Sequence, residues 1–536
     1  MVDTVREHRA SATAWVLAIS LANFVMVLSI DRELEEFPGG GEALARVLGP
    51  SVEAFRPLRW PAERLDTLGG YFTYHNATLV GLFFALYGVV LGAKAVRLLE
   101  EEHRMGLLLA TGVSRVRLVV YRSVGFAILL GMVWVGISLG TAAAFAIAGE
   151  PDTGGAFVTF LGSATAALMC FGFGLLLSQF TKNAAVAWGI GSVTLLGLYV
   201  LGNSAGTLGA FGWVEAASPF TYVNLSRALV PGHEAHWVSM IGMLLAAAAA
   251  VAAAAVAFRH RDVGAPFGAR ARAGTRMRPR RHRRTVRSLW ADGLHRGWVA
   301  IVAWAAGAAA LTGVMIALEP SVIDAWEMFG FMLPGVAGGG EGDLVAEYLA
   351  VTASFLIPLV AGYVVSRASR WIDDFSSGRV GLLLASPVSW TRIVLTRIGV
   401  TMLGTAAITG AAIAAITVGA GLIGIEADPQ GLLRLAVTAL ALGLAMSALA
   451  AITTAVFRRK GAVVVLGVYV GASYLLTFVV PMLGWPDWVN RLSVFFAFGN
   501  PYLEWPALDE SVAILLLAGP GLVLAVLLTS RSPKLP

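Results

Sequence analysis

Residues 238–258 read VSMIGMLLAAAAAVAAAAVAF, an apolar stretch of 21 residues without a charged side chain. A helix needs about 20 such residues to cross the roughly 30 Å hydrocarbon layer of a bilayer. The rest of the chain has the same character, since hydrophobic residues make up 57% of it and charged residues only 13%. Soluble proteins carry about 25% charged residues to cover their surface. The sequence therefore predicts an integral membrane protein and excludes a soluble enzyme.

The same criterion finds further stretches along the whole chain. It predicts an all-α polytopic membrane protein with twelve transmembrane helices, at 12–30, 73–95, 119–148, 157–179, 184–202, 238–258, 298–317, 345–365, 393–423, 432–456, 461–481 and 510–529. Basic residues gather in alternate loops, whereas loops 31–72 and 318–347 are rich in acids. Because lysine and arginine mark the cytoplasmic side, both termini are predicted to be cytoplasmic.

One segment of the chain occurs twice. Residues 104–122, RMGLLLATGVSRVRLVVYR, recur as residues 379–397, RVGLLLASPVSWTRIVLTR, with 11 of 19 positions identical at an offset of 275. We call these the first and second repeated segments. The same offset relates Trp213 to Trp488, Ser218 to Ser493, Phe220 to Phe495 and Tyr199 to Tyr474. The pattern predicts two tandem six-helix repeats, inserted in parallel because six spans return the chain to its starting side.

The predicted boundary between the repeats is strongly basic. The first repeat is assigned to 1–258, a cytoplasmic linker to 259–297 and the second repeat to 298–536. Residues 259–287 contain eleven arginines and one acid. This composition predicts a solvated tether, with attachment to anionic lipid as the alternative. It lacks the interleaved aromatic residues or folded motif of a nucleic-acid site, so no nucleic-acid partner is predicted.

Each repeated segment is predicted to contain a short amphipathic helix that lies in the membrane interface. Gly112 and Pro387 stand at matching positions, where that helix should end. Ser114 and Ser389 follow as caps of the next helix. Such a helix, joined closely to two spans, suits either the docking of a soluble partner or a plain hairpin at the membrane surface.

The chain resembles type-2 ABC exporter permeases in three features. They are the acids that precede each repeated segment, the pattern R-x-G-L-L-L-A-[ST]-x-V-S within it, and the outer segment 213–220, which recurs around 488–495. The fused twelve-span form is similar to actinobacterial exporters of drugs and polyketide-type antibiotics. The resemblance implies a bacterial plasma-membrane permease that moves small hydrophobic or amphipathic compounds outward by alternating access. The chain has no G-x-x-x-x-G-K-[ST] phosphate loop, so it is expected to carry no cofactor itself. ATP and Mg would bind a separate ABC ATPase, docked in two copies per chain.

The resemblance also implies which residues couple the permease to the ATPase. They lie in and before the two repeated segments: Glu101, Glu102, Arg104, Gly106, Leu107, Leu108, Leu109, Ser114, Arg117, Asp373, Asp374, Arg379, Gly381, Leu382, Leu383, Leu384, Ser389 and Arg392. Trp390 stands where the first segment has Arg115, so the two docking surfaces are expected to differ in strength.

Aromatic side chains are the candidates for the substrate pathway. Phe83 and Tyr87 share a helix face at i, i+4, and Tyr199 and Tyr474 are repeat equivalents near the ends of their spans. Aromatic packing or an interfacial belt is the alternative explanation. No catalytic site is predicted, and the histidines show no metal-ligand spacing, so no metal site is predicted either.

Three alternative functions remain open at this point. The chain could export a lipid or a cell-envelope precursor, or it could be a membrane platform without transport activity. A proton-coupled multidrug carrier is the third. Such a carrier needs ionisable groups within its spans, where each costs about 2.5–3.5 kcal/mol on insertion scales. The predicted span interiors are nearly free of charge, which disfavours the carrier.

Overall fold

The computed structural model describes residues 2–54, 60–150, 153–208, 212–268, 288–329, 344–376, 379–385, 387–457, 461–482, 486–506 and 518–528. These residues are predominantly helical and contain no β-strand, which confirms the predicted all-α class. The chain divides into two compact units, residues 1–275 and 276–536, and each is described by itself.

The helices differ widely in length, from membrane-spanning to single turns. The first unit contains α1 (Val2–Glu36), α2 (Gly40–Ala54), α3 (Leu68–Phe72), α4 (Thr78–Glu101), α5 (Met105–Ala110), α6 (Arg115–Ile147), α7 (Gly155–Phe180), α8 (Ala184–Leu208), α9 (Gly212–Ala217), α10 (Pro219–Asn224) and α11 (Trp237–His260). A π turn, Thr73–Ala77, joins α3 to α4. The second unit contains α12 (Leu289–Phe329), α13 (Leu344–Ser354), α14 (Leu356–Ser376), α15 (Arg379–Leu384), α16 (Trp390–Ile423), α17 (Pro429–Phe457), α18 (Gly461–Met482) and α19 (Asp487–Asn490).

Ten helical segments in the described residues are long and apolar enough to cross a membrane. They are Trp15–Glu36, Leu68–Glu101, Arg115–Ile147, Gly155–Phe180, Ala184–Asn203, Trp237–His260, Leu289–Pro320, Leu344–Asp374, Trp390–Ile423 and Pro429–Phe457. Each overlaps one of the first ten predicted stretches, so the chain is a multi-pass membrane protein.

The last two predicted spans are only partly described. The eleventh falls on α18, whose described apolar helix is Ala462–Tyr474. The twelfth is described only as the helix Ala518–Leu528, and residues 507–517 lie outside the described residues. The count of twelve therefore stays a prediction.

The helix α12 begins earlier than the sequence predicted. It starts at Leu289, within the range assigned to the linker. Its first turns are polar, but Asp292 and Arg296 form an i, i+4 ion pair with 3.0 Å between Oδ1 and Nε. Such pairs stabilise a helix, so α12 begins before the apolar stretch 298–317 from which its start was predicted.

In the first unit, α4 packs closely against α7 through two glycines. A methyl group added at Gly88 would lie 2.3 Å from the carbonyl oxygen of Ala167, and one added at Gly92 would lie 2.1 Å from that of Phe171. Small residues at this spacing let two helix backbones approach, which is how membrane helices gain dispersion contacts. The ring of Phe171 also stacks on Phe126 of α6, with 4.4 Å between centroids.

Buried amides connect α1, the π turn and α6. Asn76 Nδ2 donates to Asn23 Oδ1 at 2.7 Å, and Asn23 Nδ2 donates to Thr141 Oγ1, also at 2.7 Å. Thr141 in turn donates to the carbonyl of Ile137 at 2.9 Å. Buried polar groups are stable when they are hydrogen-bonded in this way, so the network fixes how α1 faces α6.

We expect the substitution Gly92→Val to destabilise the first unit, because its branched side chain has no room against the Phe171 carbonyl. Overpacking of this kind costs about 1–3 kcal/mol. The measurement is the midpoint of thermal unfolding in detergent. Gly467→Val is the matched control, since nothing lies within 4 Å of a methyl group there. An equal loss in both variants would contradict the close α4–α7 contact.

Candidate functional site

The two repeated segments have the same local structure. In the first, α4 ends and the six-residue helix α5 follows before α6 begins; in the second, α14, α15 and α16 follow in the same order. Ser114 Oγ accepts from the backbone N–H of Arg117 at 3.3 Å, and Ser389 Oγ accepts from that of Arg392 at 3.3 Å. The predicted short helices and serine caps are therefore confirmed. Gly112, with φ +81°, supplies the left-handed residue that ends the turn after α5.

Both short helices expose a leucine at the same position. The second residue of each repeated segment instead faces the interior: Met105 is 1% exposed and Val380 is 0% exposed. Leu107 is 73% exposed and Leu382 is 77% exposed. Because Leu108 is half-buried and packs against the core of the first unit, it does not share the outward face. Each short helix thus presents one strongly exposed leucine.

The remaining coupling candidates divide by exposure. Those on the surface are Glu101, Glu102, Arg104, Gly106, Ser114, Arg117, Asp373, Ser389 and Arg392. Those that are half-buried are Leu109, Asp374, Arg379, Gly381, Leu383 and Leu384.

Several of these charges form contacts within the chain. Glu101 Oε1 accepts from the backbone N–H of Ala184 at 2.6 Å, which joins the end of α4 to the start of α8. Glu102 and Arg104 form an exposed ion pair at 3.1 Å. These acids therefore help to hold the segment in place.

A buried charge cluster lies directly behind the first repeated segment, and the sequence interpretation missed it. The Glu100 carboxylate lies between two guanidinium groups, 2.7 Å from Arg97 Nη1 and 2.8 Å from Arg261 Nη2. All three side chains are at most 2% exposed. Arg97 also donates to the carbonyl of Ser178, and Arg261 Nε donates to Gln179 Oε1 at 2.9 Å. The cluster joins the ends of α4, α7 and α11.

Burial lowers the pKa of Arg261, and the neighbouring Glu100 carboxylate opposes that shift. Arg261 nevertheless keeps its charge, because arginine is protonated far above physiological pH. Opposite charges at i, i+3 near the end of a span, Arg97 and Glu100, were the available sequence signal. These two residues were instead interpreted as ordinary charges of a cytoplasmic loop.

The start of the predicted linker is packed. The backbone N–H of Phe267 donates to the carbonyl of Gln179 at 2.7 Å, and its ring meets Phe180 edge-on at 5.6 Å between centroids. Arg115 donates to the carbonyl of Arg261. Residues 261–268 therefore contact the first unit, although Val263 and Phe267 stay 42% and 41% exposed. The solvated tether stays a prediction, and residues 269–287 lie outside the described residues.

The second repeated segment is held by other charges. Arg379 pairs with Asp292 of α12, and Arg397 Nη2 lies 3.0 Å from Asp374 Oδ2. At the offset of 275, the positions of Arg97 and Glu100 are Ile372 and Phe375, so the buried cluster has no counterpart there. The two segments share their short helix but differ in its support.

The three substrate-pathway candidates of the first unit do not form one cluster. Phe83 and Tyr87 both contact Trp15 of α1, at 6.2 and 5.8 Å between centroids. Tyr199 is buried against Phe220 in a separate cluster that packs on the opposite face of α4. Tyr474 belongs to the second unit.

The outer segments of the two units also correspond. Tyr199 meets Phe220 edge-on at 84°, and Tyr474 meets Phe495 at 85°. Short helices are present in both: α9 and α10 in the first unit, and α19 with a 3₁₀ turn in the second. Trp213 is 69% exposed and Trp488 is 64% exposed, as expected for aromatic side chains at a membrane interface.

We expect Glu100→Gln to destabilise the first unit by about 3–5 kcal/mol, because two buried guanidinium groups lose their shared counter-charge. Unfolding midpoints and hydrogen exchange over residues 261–268 measure the effect. Glu102→Gln is the control, since its exposed pair with Arg104 contributes only about 0–1 kcal/mol. Equal effects of the two substitutions would show that the cluster does not support the segment.

Comparison with known proteins gives one family. No curated protein matches the chain. A family model described as multidrug efflux system permease Rv1217c, C-terminal domain, matches residues 4–259 and 291–529. The matched ranges fall in both units and omit most of the basic linker. This chain therefore belongs to that family of multidrug efflux permeases.

Proposed function

We propose that this chain is the permease subunit of a type-2 ABC exporter with twelve spans in two parallel six-helix repeats. It would move hydrophobic or amphipathic compounds, such as drugs and antibiotics, out of a bacterial cell by alternating access. The observation that carries the proposal is the matched pair of short helices, which expose Leu107 and Leu382 to nearly the same extent. Family membership supports the efflux role.

The short helix α5 is placed to transmit force. Its buried Met105 and half-buried Leu108 and Leu109 pack into the first unit. The Ser114 cap joins it to α6 through a three-residue turn, and Glu100 fixes the end of α4 behind it. A soluble partner that pushes on Leu107 would therefore move α4 and α6 together.

We further propose two ATPase copies per chain, one on each short helix, with ATP and Mg bound by the ATPase. Both termini and both repeated segments would then lie in the cytoplasm, in agreement with the basic loops. The different supports of α5 and α15 favour unequal coupling at the two surfaces. The same architecture would serve export of a lipid or an envelope precursor equally well.

A proton-coupled carrier is the second candidate, and two buried acids favour it. Glu319 is 4% exposed and Glu347 is 8% exposed. Buried carboxylates inside a membrane protein are typical of proton relays. Export that persists without ATP and collapses with an uncoupler would support this carrier over the ABC exporter.

We expect Leu107→Asp to abolish binding of one ATPase copy, because a carboxylate cannot replace the apolar contact. The measurement is the ratio of ATPase to permease after purification from native membranes in mild detergent. Wild type should carry two copies, Leu107→Asp and Leu382→Asp one copy each, and the double variant none. The rate of ATP-dependent export should fall at least tenfold in the double variant. A tenfold fall corresponds to about 1.4 kcal/mol of free energy of coupling.

Leu422→Asp at the far end of α16 is the control, since it places the same charge on a leucine that is 82% exposed. It should keep both ATPase copies. Leu108→Asp is unsuitable because that half-buried side chain also supports the fold. A double variant that retains two ATPase copies would exclude the short helices as the docking sites.

A further inference from the structure

One face of α14 carries three buried side chains that are able to donate hydrogen bonds. Tyr363, Arg367 and Trp371 follow at i, i+4 and i+8 and are 0%, 5% and 4% exposed. Residues at this spacing lie above one another on a helix. The face therefore forms one continuous strip, which we call the α14 donor strip.

The polar atoms of the α14 donor strip have no hydrogen-bond partner among the described residues. These atoms are Tyr363 Oη, Arg367 Nε and Nη1, and Trp371 Nε1. Indole and guanidinium nitrogens can only donate, so the strip offers donors to a ligand that accepts. Buried polar groups in proteins nearly always find a partner, and a buried unpaired charge is especially unfavourable.

Neighbouring helices approach the strip with glycines. Gly297 of α12 lies against the Arg367 guanidinium, so that a methyl group there would be 2.9 Å from Nη1. Gly404 of α16 lies against the Tyr363 hydroxyl in the same way. The ring of Trp304 packs edge-on to Tyr363 at 6.4 Å. The strip is thus enclosed between α12 and α16, whose backbones lie directly against Arg367 and Tyr363.

The surrounding charges leave an excess of positive potential. Asp374 contacts Arg397 at 3.0 Å, and Asp292 already pairs with Arg379 and Arg296. Asp373 lies on the exposed side of α14. Arg370, also exposed, donates to the carbonyl of Arg296 at 2.7 Å. Asp374 and Asp292 are therefore both paired with other arginines.

We propose that the α14 donor strip binds the phosphate group of an anionic amphiphile, with Arg367 as the charged contact and Tyr363 and Trp371 as neutral donors. Arg367 lies nine residues before the end of α14, about 14 Å along the helix axis, which suits the boundary between headgroups and hydrocarbon. Basic sites between membrane helices at this depth take phospholipid headgroups.

The first unit has no equivalent site. At the offset of 275, the strip corresponds to Gly88, Gly92 and Val96. The two glycines there form the close contact between α4 and α7. One anion is therefore bound per chain, and its binding distinguishes the second unit from the first.

The test uses the full chain in phosphatidylcholine nanodiscs that contain increasing fractions of phosphatidylglycerol. Native mass spectrometry counts retained phosphatidylglycerol, and thermal unfolding gives an apparent affinity. We expect one tightly retained lipid in wild type. Arg367→Gln should weaken it at least about tenfold, and Tyr363→Phe about three- to tenfold, because charged and neutral hydrogen bonds are lost respectively.

Arg370→Gln is the matched control, since it removes the same charge from an exposed residue on the same helix. It should bind the lipid within about twofold of wild type. Equal weakening in Arg367→Gln and Arg370→Gln would overturn the proposal, because general surface charge would then explain retention. Tyr363→Phe keeps the test independent of folding, as it removes one oxygen and no packing.

A second arm distinguishes the source of the phosphate group. Inorganic phosphate is added to the chain in discs of phosphatidylcholine alone. Stabilisation that disappears in Arg367→Gln but not in Arg370→Gln would assign the strip to a free anion, with the same chemistry. Retention of phosphatidylglycerol without an effect of inorganic phosphate assigns it to lipid. An absence of both effects in wild type would overturn the proposal.

Discussion

The Glu100 carboxylate, held between the guanidinium groups of Arg97 and Arg261, is the contact on which the first unit's candidate site depends. It joins three long helices at the end where the first repeated segment leaves them. Removing charges from water is unfavourable, and only close ion pairs with further hydrogen bonds offset that loss. Here carbonyl and amide groups at the end of α7 supply those bonds. The short helix α5 is therefore mounted on a rigid base.

The two units use one local pattern with different interiors. Short helix, serine cap and edge-on aromatic pair occur in both. The first unit fills its interior with glycine-mediated helix contacts, whereas the second places Tyr363 and Arg367 at the corresponding positions. The first unit therefore relies on close packing of helix backbones where the second unit carries buried polar groups. The exposed leucines Leu107 and Leu382 are common to both units.

Local features of this protein were predictable from sequence, and long-range ones were not. Apolar stretches predicted ten described spans, because burial in lipid depends on the composition of one segment. The caps at Ser114 and Ser389 were predictable because their hydrogen bonds span three residues. Arg261 contacts Glu100, which lies 161 residues earlier in the chain, so no short stretch of sequence contains both residues. The burial of Arg367 was likewise missed, since the predicted span ended at residue 365 whereas α14 continues to Ser376.

The π turn at Thr73–Ala77 affects how the helix α4 would tolerate a change in length. Each residue of an α-helix turns about 100°, so a deletion within α4 would rotate Gly88 and Gly92 away from α7. A π turn holds one residue more than the regular helix needs. Loss of a residue there would restore a regular helix and leave both flanking faces in register. The π turn, between α3 and α4, is thus the place where loss of one residue would keep α4 in register with α7, although the Asn76 amide that bonds Asn23 lies in the same turn.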